Sequence, residues 1–204
     1  AASAFARERI VNGKPIAEAR AGDLPAVSEM LHYWAGAADK LHGETVQVNS
    51  TSLNYTIHEP IGVCGIIVPW NSPLAILAAK VGAALAAGNT VVLKPAEQAA
   101  ASILAIAELF DAAGMPPGVV NVVSGRGEVV GDALVRHPAV RKIALTGSTE
   151  TGRVITERSA PFLKQLSFEL GGKSPNIVFA DADLDRATAG VSTASVFTGG
   201  AGQT

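Results

Sequence analysis

The stretch IGVCGIIVPWNSPLAILAAKVGAALAAGNTVVLKPAEQ, residues 61–98, sets two short apolar runs, IGVCGIIV (61–68) and NTVVLK (89–94), on either side of one longer Ala-rich segment. Short Val- and Ile-rich runs predict buried strands, and the segment between them predicts a helix with Gly88 at its C′ position. Strand, helix and strand in that order, with strands apolar throughout, make a unit of a parallel sheet covered by helices. The fold follows from repeating it.

Downstream the same rhythm continues. GVVNVVS (118–124), VRKIALT (140–146) and LKQLSFE (163–169) read as further strands. QAAASILAIAELFDAAG, GEVVGDALVRH and ETGRVITERSA read as the helices between and after them, with Gly114 as a second C′ glycine. After Glu169, LGGKSPN leads to NIVFA and DADLDRATAGVSTASVF, which predict one more strand and helix. Upstream, residues 1–39 read as helical. AASAFARERI resembles the back half of a helix without a cap, so more sequence is expected before it. Val27, Met30, Leu31, Trp34, Ala38 and Leu41 recur at helical spacing after Asp23, the expected cap. Between these parts, GETVQVNSTSLNYTIHEP alternates around NSTS, a hairpin pattern. A lone two-stranded ribbon is marginal, so this one is expected to pair with something else, such as another subunit.

Composition narrows the class. Hydrophobic residues make up 48% of the 204 and charged residues 17%, enough apolar content for a sizeable core and too little charge for disorder. The net charge of −2, without like-charge blocks, gives no reason to expect nucleic-acid or anionic-membrane binding. Pro69, Lys80 and Asn89 interrupt the apolar stretches before any could span a bilayer. Cys64 is the single cysteine, so no internal disulfide can form, and a reducing, cytoplasmic setting is expected.

In an open α/β sheet, ligands bind at the carboxyl ends of the strands. Here those ends deliver PWN (69–71), KPAE (94–97), SGRG (124–127), TGST (146–149) and FELGG (168–172). Any one could be an ordinary βα turn; five polar or glycine-rich turns on one edge point to a shared crevice. TGSTETG opens a helix, where free N–H groups and the positive helix end can meet an anion, or where Ser148 or Thr149 simply caps the helix. GRGEVVG, with Gly125, Gly127 and Gly131, is one residue too long for the dinucleotide fingerprint. Lys94 and Glu97 can hold vicinal ribose hydroxyls, and Glu97 would repel a 2′-phosphate, so NAD is favoured over NADP; a solvated ion pair is the alternative.

Glu169 closes an apolar strand before Gly-Gly. A part-buried carboxylate there, its pKa raised, would suit a general base; the alternative is a carboxylate capping a loop amide. Asn71 offers an N–H₂ donor for developing oxyanion charge, or else bonds its own turn. Cys64, inside an apolar strand, reads as core. His32, His42, His58 and His137 lack metal-ligand spacing, and Asp181, Asp183 and Asp185 lack the glutamate of a calcium loop, so no metal site is expected.

Taken together, EPIGVCGIIVPWNSP, GNTVVLKPAEQ, TGSTETG and FELGGKSPNIVFADADLD closely resemble the NAD(P)-dependent aldehyde dehydrogenase superfamily, in order and over nearly the whole chain. The resemblance implies an α/β fold: a Rossmann-like parallel sheet with helices on both faces, a protruding hairpin arm, and the start of a second, catalytic α/β domain. It implies an incomplete helical part of the cofactor domain at 1–41, an oligomerisation arm at 42–59, the NAD-binding domain at 60–170 and the beginning of the catalytic domain at 171–204. Glu169 would be the general base and Asn71 part of the oxyanion hole. Lys94 and Glu97 would hold the adenosine ribose. Ser148 and the main chain around Val68, Pro69 and Trp70 would hold the pyrophosphate. Gly127, Gly131, Thr146, Gly147, Gly152 and Leu170 complete the expected cofactor-binding set. Lys80 matches a lysine linked to proton relay, although a snorkelling surface lysine reads equally well.

In this family a GQxC loop carries the nucleophilic cysteine; Gly202, Gln203 and Thr204 match its start, and the cysteine is expected next. The chain alone is therefore expected to lack turnover, the intact protein to oxidise an aldehyde to an acid as a homodimer or homotetramer. The alternative is an inactive nucleotide-binding or scaffold fragment of the same fold. Leu145 departs from the Phe usual before TGS, and the last loop is slightly longer than common versions.

Overall fold

The computed structural model describes residues 13–172 and 175–195. A short helical entry, Ile16–Glu18, and a π-helical turn, Ala19–Asp23, lead directly into α1 (Leu24–Ala37). Asp23 is not a cap. Its backbone is already helical, and its carboxylate instead accepts a 2.7 Å bond from the buried Lys14 ammonium. The hairpin follows as β1 (Thr45–Asn49) and β2 (Ser52–Tyr55), antiparallel, with a bulge between Gln47 and Asn49.

Then come β3 (Val63–Ile67), α2 (Pro73–Ala86), β4 (Thr90–Lys94), α3 (Ala100–Ala112) and β5 (Val120–Val122). A π-helical turn at Gly127–Gly131 runs into α4 (Asp132–Arg136), followed by β6 (Val140–Thr146), α5 (Thr149–Ser159), β7 (Gln165–Glu169) and α6 (Leu184–Ser195). Gly88 and Gly114 both take positive φ, at 75° and 82°, where a side chain would be strained.

The five strands β3–β7 form one parallel sheet in the order β5-β4-β3-β6-β7. The chain builds outward from β3 through β4 to β5, then returns to the other side of β3 to lay down β6 and β7. Helices cover both faces. On one, Ile66, Val91 and Leu93 pack with Leu74, Leu77 and Val81 of α2 and Ile103 of α3, all almost fully buried. On the other, Ile143 and Leu145 pack with Leu134 and Val135 of α4 and Ile155 of α5. A side chain at Gly65 would sit 2.7 Å from the Ile143 Cδ1 and 3.1 Å from the Leu134 Cγ, so the central strand needs glycine for α4 to approach it.

NIVFA is not a strand. Residues 176–179 form irregular backbone, and Ile177 and Phe179 are more than 70% exposed, because no strand among the described residues offers them a partner edge. The expected strand at 118–124 shrinks to three residues, at the sheet's outer edge. The helix expected after NIVFA does form, as α6, and Asp183 caps it through bonds from the Asp185 and Arg186 N–H groups.

Candidate active site

The return of the chain from β5 to β6 creates a switch point at the carboxyl ends of β3 and β6, the place where open α/β sheets bind ligands. The turn after β3 carries Pro69, Trp70 and Asn71; the turn after β6 carries Gly147 and Ser148. Val68 donates its N–H to the Lys94 carbonyl at 3.1 Å, and Gly147 donates to the Glu169 carbonyl at 3.0 Å, so the turns are tied to their neighbours on both sides. Trp70 is 40% exposed.

Register assigns each side chain to a face. Ile67 pairs with Lys94 and with Leu145, and Leu145 pairs with Phe168; residues in register share a face. Leu145 and Phe168 pack toward α4 and α5, and Lys94 lies on that side too. Thr146 and Glu169, one residue further along, pair with each other and point to the face of α2. Asn71, Lys94, Ser148 and Glu169 thus share one rim, but Lys94 and Glu169 lie on opposite faces of the sheet.

On the α4/α5 side the rim opens into a slot of about 300 Å³. Ile67, Val135, Val154 and Ile155 give it apolar walls. Lys94, only 4% exposed, donates to its neighbour's Pro95 carbonyl at 2.9 Å; burial lowers its pKa and the nearby Glu97 carboxylate partly restores it. Glu97 is exposed and one oxygen accepts the Gly127 N–H at 2.8 Å. That bond fixes the carboxylate at the slot while its other oxygen stays available. Gly131 brings its backbone close to the Lys94 stem, with 3.7 Å between the Cδ and a side-chain carbon built there.

Ser148 is the N-cap of α5: its hydroxyl accepts the Thr151 N–H at 3.1 Å. Both readings of TGST stay compatible with this, since the turn still sits at the helix start beside the crevice. Gly152 serves packing, since a side chain there would meet Leu170 at 3.1 Å.

On the α2 face a groove of about 550 Å³ holds Glu169, Thr146, Lys80, Lys142 and Cys64. Glu169 is exposed, not part-buried: β7 is the edge strand, and no described residue covers its outer side. Lys80 is half-buried, and burial lowers its pKa, with Glu169 opposing the shift and Lys142 adding to it. It faces the same groove as Glu169 rather than bulk solvent. Cys64 is buried, which raises its thiol pKa, as suits a core residue and not a nucleophile. The Asn71 amide oxygen accepts the Ser72 N–H at 3.1 Å, so the turn consumes the acceptor and leaves the N–H₂ as the donor. Among the described residues no cluster of three His, Cys, Asp or Glu could hold a metal, and no helix is long and apolar enough to cross a membrane.

Sequence reading missed the slot walls. Val154, Ile155 and Arg158 lie at helical spacing after TGST, and Asp132 and Val135 follow the expected Gly131 before β6. That both sets face one slot depends on β6 lying beside β3, which no local pattern encodes.

The comparisons agree with this geometry. The chain is 54% identical over 181 residues to an aldehyde dehydrogenase of Aspergillus niger, covering 88% of this chain and 36% of that protein. It is 51% identical over 181 residues to retinal dehydrogenase 2 of Homo sapiens, covering 88% and 35%. The solved NAD+ complex of an aldehyde dehydrogenase from Bacillus cereus superposes with a TM-score of 0.94 at 47% identity, over 97% of this chain and 40% of that one. The chain thus spans less than half the length of each of these relatives. The family model for the aldehyde dehydrogenase family matches residues 4–204, and the chain belongs to that family.

Proposed function

We propose that the chain is the cofactor-binding half of an NAD-dependent aldehyde dehydrogenase that oxidises an aldehyde to a carboxylic acid through a cysteine thiohemiacetal and thioester. On this reading residues 60–170 are the NAD-binding domain, 42–59 an oligomerisation arm, and 171–204 the start of the catalytic domain. The expected GQxC loop and its cysteine lie outside the described residues. The single free thiol, buried at Cys64, fits a reducing, cytoplasmic setting.

One observation carries the proposal: the rim is continuous but its two faces differ. One face holds an apolar slot with Lys94 and the anchored Glu97; the other holds Glu169 and Lys80 beside Asn71's turn. A slot of about 300 Å³ is at the small end of ligand pockets and suits a planar base with its ribose. Lys94 and Glu97 would bind the ribose hydroxyls, and the Trp70 and Ser148 turns the phosphates, across the switch point. When bound, the dinucleotide supplies the hydride acceptor. Asn71 would donate its N–H₂ to the oxyanion that forms when the thiolate attacks. Glu169, exposed at the end of β7, would take a proton from the water that cleaves the thioester.

The test is Glu169→Gln in the full-length enzyme. A pre-steady-state burst should survive while steady-state turnover falls by at least about a hundredfold, the usual scale of a general-base contribution. An unchanged steady-state rate removes the general-base role. NAD binding without aldehyde oxidation in the full-length protein would favour a nucleotide-binding scaffold instead.

A further inference from the structure

The slot contains one polar bridge that the reading above does not use. Asp132 on α4 accepts from the Arg158 guanidinium on α5 at 2.6 Å, joining the two helices that bound the slot. Other charged pairs at its edge are local: Arg126 with Glu128, and Arg153 with Glu150. Asp132 also receives the Arg136 Nε, at 2.9 Å on one oxygen and 3.0 Å on the other.

Both Asp132 and Arg158 line the slot together with the apolar Val135, Val154 and Ile155. Lys94 ends β4 and Gly127 opens α4's entry turn, beside the ribose-binding Glu97, so both stand at the sheet rim. Asp132 and Val135 follow Gly127 along the same helical run, and Arg158 closes the last turn of α5. A nucleoside entering with its ribose at the rim therefore directs its base toward the Asp132–Arg158 bridge. Three hydrogen bonds reach the Asp132 carboxylate, which has about four acceptor sites, so one site on Oδ2 remains. Arg158 uses one of its several N–H groups on Asp132. The bridge therefore presents an acceptor and donors side by side to whatever fills the slot.

We propose that Asp132 and Arg158 read the edge of the adenine base, the carboxylate accepting from its exocyclic amine and the guanidinium donating to a ring nitrogen. This rests on the cofactor assignment above and adds base selectivity to it. Hypoxanthine carries a keto oxygen where adenine carries the amine, so it sets acceptor against acceptor at Asp132.

The experiment titrates the full-length enzyme with NAD and with nicotinamide hypoxanthine dinucleotide, following tryptophan fluorescence. Wild type should bind NAD the more tightly, and Asp132→Ala should shrink that preference about tenfold, the scale of one hydrogen bond to a charged group. Arg158→Ala, which keeps the Arg136 bond and so a tethered Asp132, should reduce it in the same direction and serves if Asp132→Ala does not fold. Arg136→Ala breaks only the bond within α4 and should leave the preference intact. Equal binding of the two dinucleotides by wild type, or an unchanged preference in both slot variants, overturns base reading while the cofactor assignment stands. No NAD binding by wild type overturns both.

Discussion

Glu97 and Asp132 show how much a single carboxylate depends on what holds it. Glu97 is exposed, yet the Gly127 N–H fixes one of its oxygens, so position and charge can be separated by substitution. Glu97→Gln keeps an acceptor for that N–H and removes the charge. If the charge excludes a 2′-phosphate, the ratio of kcat/KM for NAD over NADP should fall about tenfold, equivalent to about 1.4 kcal/mol; a constant ratio would leave Glu97 a purely positional role. Asp132 titrates in a different way. Hydrogen bonds from Arg136 and then Arg158 lower its pKa below the ordinary 3.8. A carboxylate with a depressed folded-state pKa contributes stability above the unfolded-state value and loses it as pH falls through the folded one. Urea midpoints of wild type should therefore drop below about pH 4 by an increment that Asp132→Asn lacks, because the variant has already lost it at neutral pH. Parallel midpoint curves for the two proteins would show the bridge contributes nothing to acid stability.

Elements were legible where periodicity and punctuation agree, and illegible where the partner decides. The strand runs 61–68 and 89–94 and the C′ glycines Gly88 and Gly114 were readable because buried parallel strands and αL positions leave strong local marks. NIVFA carries the same strand-like composition yet stays irregular, since a strand exists only with an edge to pair with. Asp23 looked like a cap, but the buried Lys14 ammonium draws its carboxylate elsewhere, a contact no helix rule foresees. At the site, the rim residues could be inferred from strand ends, whereas their division between faces and the Glu169 exposure required the sheet order. The α1–α2 contact shows the same dependence on a neighbour. A carbon added at Gly82 would lie 2.5 Å from the Trp34 indole Cδ1 and 2.9 Å from its Cγ, so the indole or α1 itself must shift. Gly82→Val should destabilise by about 1–3 kcal/mol of overpacking, more than the few tenths that helix propensity returns. A urea midpoint equal to wild type would mean that α1 can shift off α2 at no cost.

At the scale of the molecule, the hairpin is the part least explained by the rest of the fold. Val46 sits opposite Asn54, and Leu53 opposite Gln47, so the ribbon carries apolar side chains on both of its faces. Val46, Val48, Leu53 and Tyr55 are between 45% and 78% exposed, and Ile57 just beyond is 65% exposed. One protein body can cover only one face of a two-stranded ribbon, and an isolated ribbon is marginal in water. A second copy of the intact protein can cover the remainder, which fits the oligomerisation arm proposed above. Val46→Lys with Leu53→Lys places a charge on each face while leaving the β1–β2 backbone pairing possible. The full-length double variant should run as a smaller species than wild type by light scattering, with the melting temperature of the sheet domain little changed, since neither residue belongs to the buried core. If the oligomer survives both charges, its interface lies elsewhere and the arm's apolar faces need another partner.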